Sequence, residues 1–260
     1  MKLSFSNIAW SAEQDEKIYG ALAARGFSGV EIAPTRLFPE APYDRCADAA
    51  LFAQRLRAQH GLAVPSMQSI WFGRSERVFG ASDERAALLA YTEKAVAFAA
   101  AIGCRNLVFG CPKNRSMPAD AREETALEFF RAAGELSAAK NCIFALEANP
   151  PIYNTNYLNT TAEAFAAAKQ CGPGVGVNLD FGTIIENVES LEVIADNLGM
   201  VSHVHISEPY LAPIVRRAAH KELAQLLRAG GYGGYVSAEM KCADLDEVLR
   251  VMDYIAEIFG

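Results

Sequence analysis

Eight short apolar runs, each followed by a longer stretch of helical periodicity, constrain this chain more than any other feature of its sequence. The runs cover 3–9, 29–34, 62–71, 106–112, 142–150, 174–182, 201–209 and 234–240. The first helical pattern opens at Ser11, and the others cover 44–60, 83–103, 119–139, 161–170, 189–198, 220–229 and 244–258. Alternation of this kind argues for a parallel sheet with helical crossovers. Eight such units in 260 residues match the size of a closed α/β barrel, the (β/α)8 or TIM barrel, so one domain over 1–260 is expected. A doubly wound open sheet is the runner-up, and it usually has fewer strands.

Local signals agree with this division. Ser11 and Gln14 are spaced as a capping box for the first helix. Gly26 and Gly61 are placed to stop helices, and Pro34 ends the second strand. Pro118 stands near the start of the helix expected over 119–139. No linker of biased composition marks a domain boundary. The nucleotide-binding patterns GxGxxG and GxxxxGK[ST] are absent, and "GGYGG" (230–234) reads as a turn before the last strand.

The composition narrows the function classes. The net charge is −7 and the pI about 5.2, whereas Lys and Arg supply most nucleic-acid affinity; no nucleic-acid partner is expected. The N-terminal residues "MKLSFSNIAW" lack the sustained apolar segment of a signal peptide. No apolar run approaches the ~20 residues of a membrane span. The six cysteines are scattered, with no CxxC pair, as in a reduced cytoplasmic protein.

In barrels of this type the chemistry sits at the C-terminal ends of the strands. Glu147 lies at the end of strand five, Asp180 of strand six, His203 and His205 of strand seven, and Glu239 of strand eight. The two histidines are two residues apart, so on a strand they share a face. A single carboxylate at a strand end is more often a helix cap or an ion-pair member than a ligand, and Glu31 on strand two is either such a case or a mouth residue of unassigned role. Polar residues at four successive strand ends are a different matter. Three carboxylates converging on one mouth with an imidazole repel one another unless a cation joins them. One nitrogen and three carboxylates suit Mn²⁺, Mg²⁺, Co²⁺ or Zn²⁺.

"LEANP", "NLDFG", "HVHISE" and "GGYVSAEM", in this order and spacing, resemble the xylose isomerase-like superfamily of sugar isomerases and epimerases. The resemblance spans nearly the whole chain. It implies one divalent metal ion held by Glu147, Asp180, His205 and Glu239. It further implies that Glu147 and Glu239 are catalytic, one removing a proton next to a substrate carbonyl and the other returning one, through an enediolate. The substrate class implied is a small sugar, sugar phosphate or sugar acid. A lyase that dehydrates a polyol ketone starts from the same enolisation and is the alternative. An abasic-site endonuclease on this fold uses many histidines, and this chain has four. A barrel that binds a sugar without catalysis is the remaining option.

The sequence departs from the family pattern at Thr183, where many members carry a histidine three residues after the aspartate. The resemblance assigns His203 to contact with the substrate or with a metal ligand, with a packed core histidine as the competing reading. Lys113 and Arg115 in "CPKNR", and Arg217 with Arg216 and His220 in "RRAAHKEL", are candidates for an anionic substrate group; salt bridges and a solvated helix start compete. Asn149 and Trp71 are candidate mouth residues, the tryptophan as a platform for a sugar face or as packing. Barrels of this family often pair, so a homodimer is an option that no sequence stripe decides.

Overall fold

The structure, a computed structural model, describes residues 1–260. Eight parallel strands form one sheet: β1 Lys2–Ser6, β2 Gly29–Glu31, β3 Ser66–Met67, β4 Asn106–Phe109, β5 Ile143–Glu147, β6 Val175–Asp180, β7 Val201–Ile206 and β8 Tyr235–Ala238. The order β2-β1-β8-β7-β6-β5-β4-β3 runs round a ring. Isolated parallel bridges from Gly29 to Ala63 and from Ile32 to Met67 close the gap between β2 and β3. The expected barrel is present.

The helices are α1 Asp15–Ala24, α2 Pro34–Leu37, α3 Cys46–His60, α4 Ser82–Ile102, α5 Glu123–Ala138, α6 Thr161–Cys171, α7 Phe181–Asn187, α8 Glu192–Ala195, α9 Ala218–Ala229 and α10 Leu245–Phe259. Gly61 and Gly103 end α3 and α4 with positive φ of 71° and 72°, the left-handed geometry that glycine adopts without a Cβ penalty. None of these helices is long and apolar enough to cross a membrane.

Three expectations are corrected. Ser11 makes no cap: a 3-10 turn over Ala12–Gln14 intervenes and α1 begins at Asp15. A reciprocal capping box does occur at α6, where Thr160 Oγ1 accepts from the Glu163 N–H at 3.2 Å and Glu163 Oε2 accepts from the Thr160 N–H at 3.2 Å. The helix expected over 189–198 shrinks to the single turn α8, and an unexpected helix, α7, stands before it directly after β6, where the Asp180 carboxylate caps it by accepting from the Thr183 N–H. The third strand shrinks to two residues, since Ser69 turns the chain with a φ of 53°.

The apolar core lies outside the barrel, between strands and helices. Leu107, Phe109, Phe144, Leu146, Val204 and Ile206 face it and are fully or almost fully buried. The barrel interior is polar: Ser4, Glu31, Ser66, Asn106, Asn178, His203, His205 and Ser237 are all buried. Period-two alternation explains the division, because the residues between these face the helices. One irregularity helps build the interior. The β6–β7 register shifts at Val177/Asn178, leaving Ser202 as an extra residue between the Val177–Val201 and Asn178–His203 partners. Ser202 then reaches Asn106 across the ring, its Oγ donating to Asn106 Oδ1 at 2.7 Å.

Candidate active site

The four strand-end residues meet. Asp180 pairs with His205 in register, and Glu147 with Asn178 one strand away. His205 Nδ1 lies 3.1 Å from Glu147 Oε1 and 3.2 Å from Glu239 Oε2. Neither contact has hydrogen-bond geometry, so this buried nitrogen has no hydrogen-bonding partner. Ligand atoms of Glu147, Asp180 and His205 lie within 4.8 Å of one another. An unpartnered imidazole nitrogen amid three carboxylates is a donor set that fits a hard or borderline divalent cation.

Each acid is held differently. Glu147 receives Asn178 Nδ2–H at Oε1 (2.6 Å) and Asn149 Nδ2–H at Oε2 (3.2 Å). Asp180 receives the Thr183 N–H at Oδ2, while the Ser207 hydroxyl donates to Oδ1. Thr183 places its own hydroxyl 2.8 Å from both Asp180 Oδ2 and the Ala148 carbonyl, so it braces this aspartate. Burial pushes Asp180 above the usual carboxylate range, and the Glu147 charge adds to it. Glu239 takes no hydrogen bond from an amide or hydroxyl. Burial raises it to about 7, against the pull of His205, with Glu147 and Glu31 pushing the same way as burial.

Below this cluster Glu31 is completely buried and faces the other side of His205, with Nε2 at 2.9 Å. Burial opposes its charge, but the His205 imidazole, His203 and the Ser66 hydroxyl outweigh that and hold it at about 2. His205 itself is pushed well above an ordinary histidine: burial works against its charge, and Glu31 and Glu239 overcome it. His203 stays neutral near 4, chiefly through burial. Its Nε2 is 3.6 Å from Glu31 and has no hydrogen-bonding partner.

A cavity of about 190 Å³ opens above the acids, its wall including Gln68, Asn149, Tyr153 and Ser207 with Glu147, Asp180 and Glu239. Of the residues assigned to substrate from sequence, Asn149 reaches it. The others do not. Trp71 lies on the helix side of the sheet among Phe109, Phe129 and Phe144, its indole N–H donating to Thr92 Oγ1 at 3.0 Å. Arg115 is fully buried; it donates to the Glu147 carbonyl (2.6 Å) and Asn149 Oδ1 (2.8 Å), and burial lowers it to about 10. Arg217 is spent in a two-pronged pair with the buried Glu208. Arg216 pairs with Glu257 and His220 with the Tyr254 hydroxyl. Lys113 is exposed and outside the cavity wall, and His203 lies inside the barrel beneath it.

Sequence reading missed Gln68, Ser207 and Tyr153. Ser207 carried a signal, being two residues beyond His205 on the same face. Tyr153 carried none: it enters through a loop, where its hydroxyl accepts the Tyr210 N–H at 2.8 Å.

The buried imidazole and three acids stand at the C-terminal mouth of an eight-stranded barrel, the end at which (β/α)8 enzymes carry their chemistry. The chain belongs to the xylose isomerase-like TIM-barrel family, whose model matches residues 20–258. Three solved structures share the fold closely. The 3-keto-D-glucoside 4-epimerase of E. coli is 19% identical, with 99% of this chain and 98% of that one covered and a TM-score of 0.76. The D-psicose 3-epimerase of Clostridium cellulolyticum H10, solved with D-tagatose, is 17% identical over 100% of both chains, with a TM-score of 0.76. A family 2 AP endonuclease of Brucella melitensis is 22% identical over 99% of both chains, with a TM-score of 0.75. No curated protein sequence matches the chain.

Proposed function

We propose that this protein is a metal-dependent isomerase or epimerase of a small, uncharged sugar. The observation that carries the reading is the position of the Glu147 and Glu239 carboxylates, 3.1 and 3.2 Å from one orphaned imidazole nitrogen at the floor of the cavity. Glu147, Asp180, His205 and Glu239 would hold a divalent cation. When bound, the cation supplies positive charge beside the substrate's carbonyl and hydroxyl oxygens.

The chain's own groups do the proton work. Glu147, oriented by two amide donors, takes the proton from the carbon next to the carbonyl. Glu239, free of such donors, returns one from its own side of the cavity; in the reverse direction the roles exchange. Asn149 orients Glu147 at the wall. The cavity wall contains no lysine, arginine or histidine, and Arg115 and Arg217 are consumed internally. Beyond the one cation site, a phosphate or carboxylate on the substrate would meet acids and no basic side chain, so a neutral polyol is favoured over a sugar phosphate or sugar acid. Four histidines, two of them away from the mouth in α3 and α9, favour this reading over an endonuclease.

The test is a panel of neutral ketoses, keto-glycosides and their phosphorylated or acidic counterparts, incubated with Mn²⁺ in D₂O. Deuterium should appear next to a carbonyl of a neutral member, and Glu147→Gln should abolish it. Exchange confined to charged members, or cleavage of an abasic DNA duplex without any exchange, sinks the proposal.

A further inference from the structure

We infer that the buried Glu31 sets the tautomer of His205 and so makes Nδ1 the atom that faces the cavity. The inference rests on the reading of that cavity as a metal site, and it assigns a role to a residue outside the four ligands.

A chain of hydrogen bonds through the barrel interior carries it. Ser202 Oγ donates to Asn106 Oδ1 at 2.7 Å, which turns the Asn106 amide nitrogen toward Ser66, where it donates to Oγ at 2.9 Å. Ser66 has one hydroxyl hydrogen, and it goes to Glu31 Oε1 at 2.6 Å. Ser237 adds a second hydroxyl, 3.3 Å from Oε2. Glu31 is thereby an acceptor on both oxygens, and an ionised carboxylate has no hydrogen to give. The ring nitrogen facing it at 2.9 Å, His205 Nε2, must then carry the proton. An imidazole that ligates a cation is neutral and has one N–H, so the lone pair falls on Nδ1, between Glu147 and Glu239. Were Nδ1 protonated instead, the lone pair would face Glu31 and His203, and the ring would offer no donor atom to a cation in the cavity. The contact joins residues 174 positions apart. It ties the ring from below while leaving its upper edge free, and a carboxylate behind a ligating histidine fixes both orientation and tautomer. Glu31 is a positioning residue, since it touches neither the cavity nor the reacting atoms.

The experiment loads ¹⁵N-labelled protein with Zn²⁺ and records long-range ¹H–¹⁵N correlations of the histidine rings, with His205→Gln for assignment. The expected spectrum shows a slowly exchanging proton on His205 Nε2 and none on Nδ1. Zinc titration should then give a dissociation constant about 10–100-fold weaker in Glu31→Gln, while Ser66→Ala, which also disturbs the interior but keeps the carboxylate, stays within about threefold of wild type. A proton on Nδ1, or Glu31→Gln binding zinc as wild type does, overturns the inference while leaving the metal site standing. Wild type that binds no zinc overturns the metal site instead. The spectrum of the metal-free protein at alkaline pH then decides the tautomer, with Nε2–H supporting the role of Glu31 and Nδ1–H ending it.

Discussion

Gly110 and Glu147 cannot both carry side-chain bulk at their point of contact: a Cβ on residue 110 would sit 1.9 Å from Glu147 Oε2. Gly110 follows β4, and the missing side chain leaves the space into which the carboxylate leans. Gly110→Ala should therefore act on the site and not on the fold. The clashing atom is the end of a side chain, so we expect a stability change of about 1 kcal/mol or less in thermal melts. The displaced carboxylate leaves Asn178, Asn149 and His205, and calorimetry should show divalent-metal affinity falling at least about tenfold. Metal affinity equal to wild type would show that Glu147 is not a ligand in this rotamer.

Arg115 was a candidate for substrate recognition and is instead a buried brace. Arg115→Met leaves the Glu147 carbonyl and Asn149 Oδ1 without their donors, and each unpaired buried acceptor is costly. Urea unfolding should report a loss of about 2–4 kcal/mol. An unchanged unfolding midpoint, with KM raised only for anionic substrates, would restore the recognition role.

Trp71→Ala should behave as a core truncation. The ring packs on Phe109 and Phe129, so a loss of about 3–5 kcal/mol in stability is expected. Trp71→Phe, which keeps most of the packing and loses the bond to Thr92, should retain kcat and KM. A rise in KM for Trp71→Phe without a change in stability would place the ring at the substrate after all.

His220 makes the protein acid-sensitive. It is buried between α9 and α10 against Tyr254, and burial depresses it to about 4, with Glu208 pulling upward and Arg217 downward. The unfolded chain takes up its proton near 6.5 and the folded one only near 4. Its share of stability is therefore intact above about pH 6.5, falls as pH drops from there to about 4, and amounts to about 3 kcal/mol when fully lost. His220→Gln should be less stable than wild type at pH 7 and lose less between pH 7 and pH 4 in urea titrations. Parallel losses in the two proteins would remove His220 from the account.

Much of the barrel was legible because its signal is local. Apolar runs of strand length, helix stops such as Gly61 and the period-two placement of His203 and His205 are properties of neighbouring residues. So were the acids at the ends of strands five, six and eight: a carboxylate inside an apolar run stands out wherever the strand ends up. The misplaced first-helix cap at Ser11 and the omission of α7 before α8 were also local judgements. They failed because a 3-10 turn and the Asp180 cap each competed with the pattern.

What the linear order could not contain is which charge answers which. Sequence alone established eight βα units and the residues at the barrel's mouth. Closure of the ring decided that Glu31 meets His205 from below, that Arg115 and Arg217 are spent on internal acceptors, and that Trp71 packs outward. In these pairings Glu31 and His205 are 174 positions apart and Arg115 and Glu147 are 32 apart, while Arg217 meets Glu208 across a loop of nine. Their energies depend on burial and distance, and both exist only once the strands are assembled.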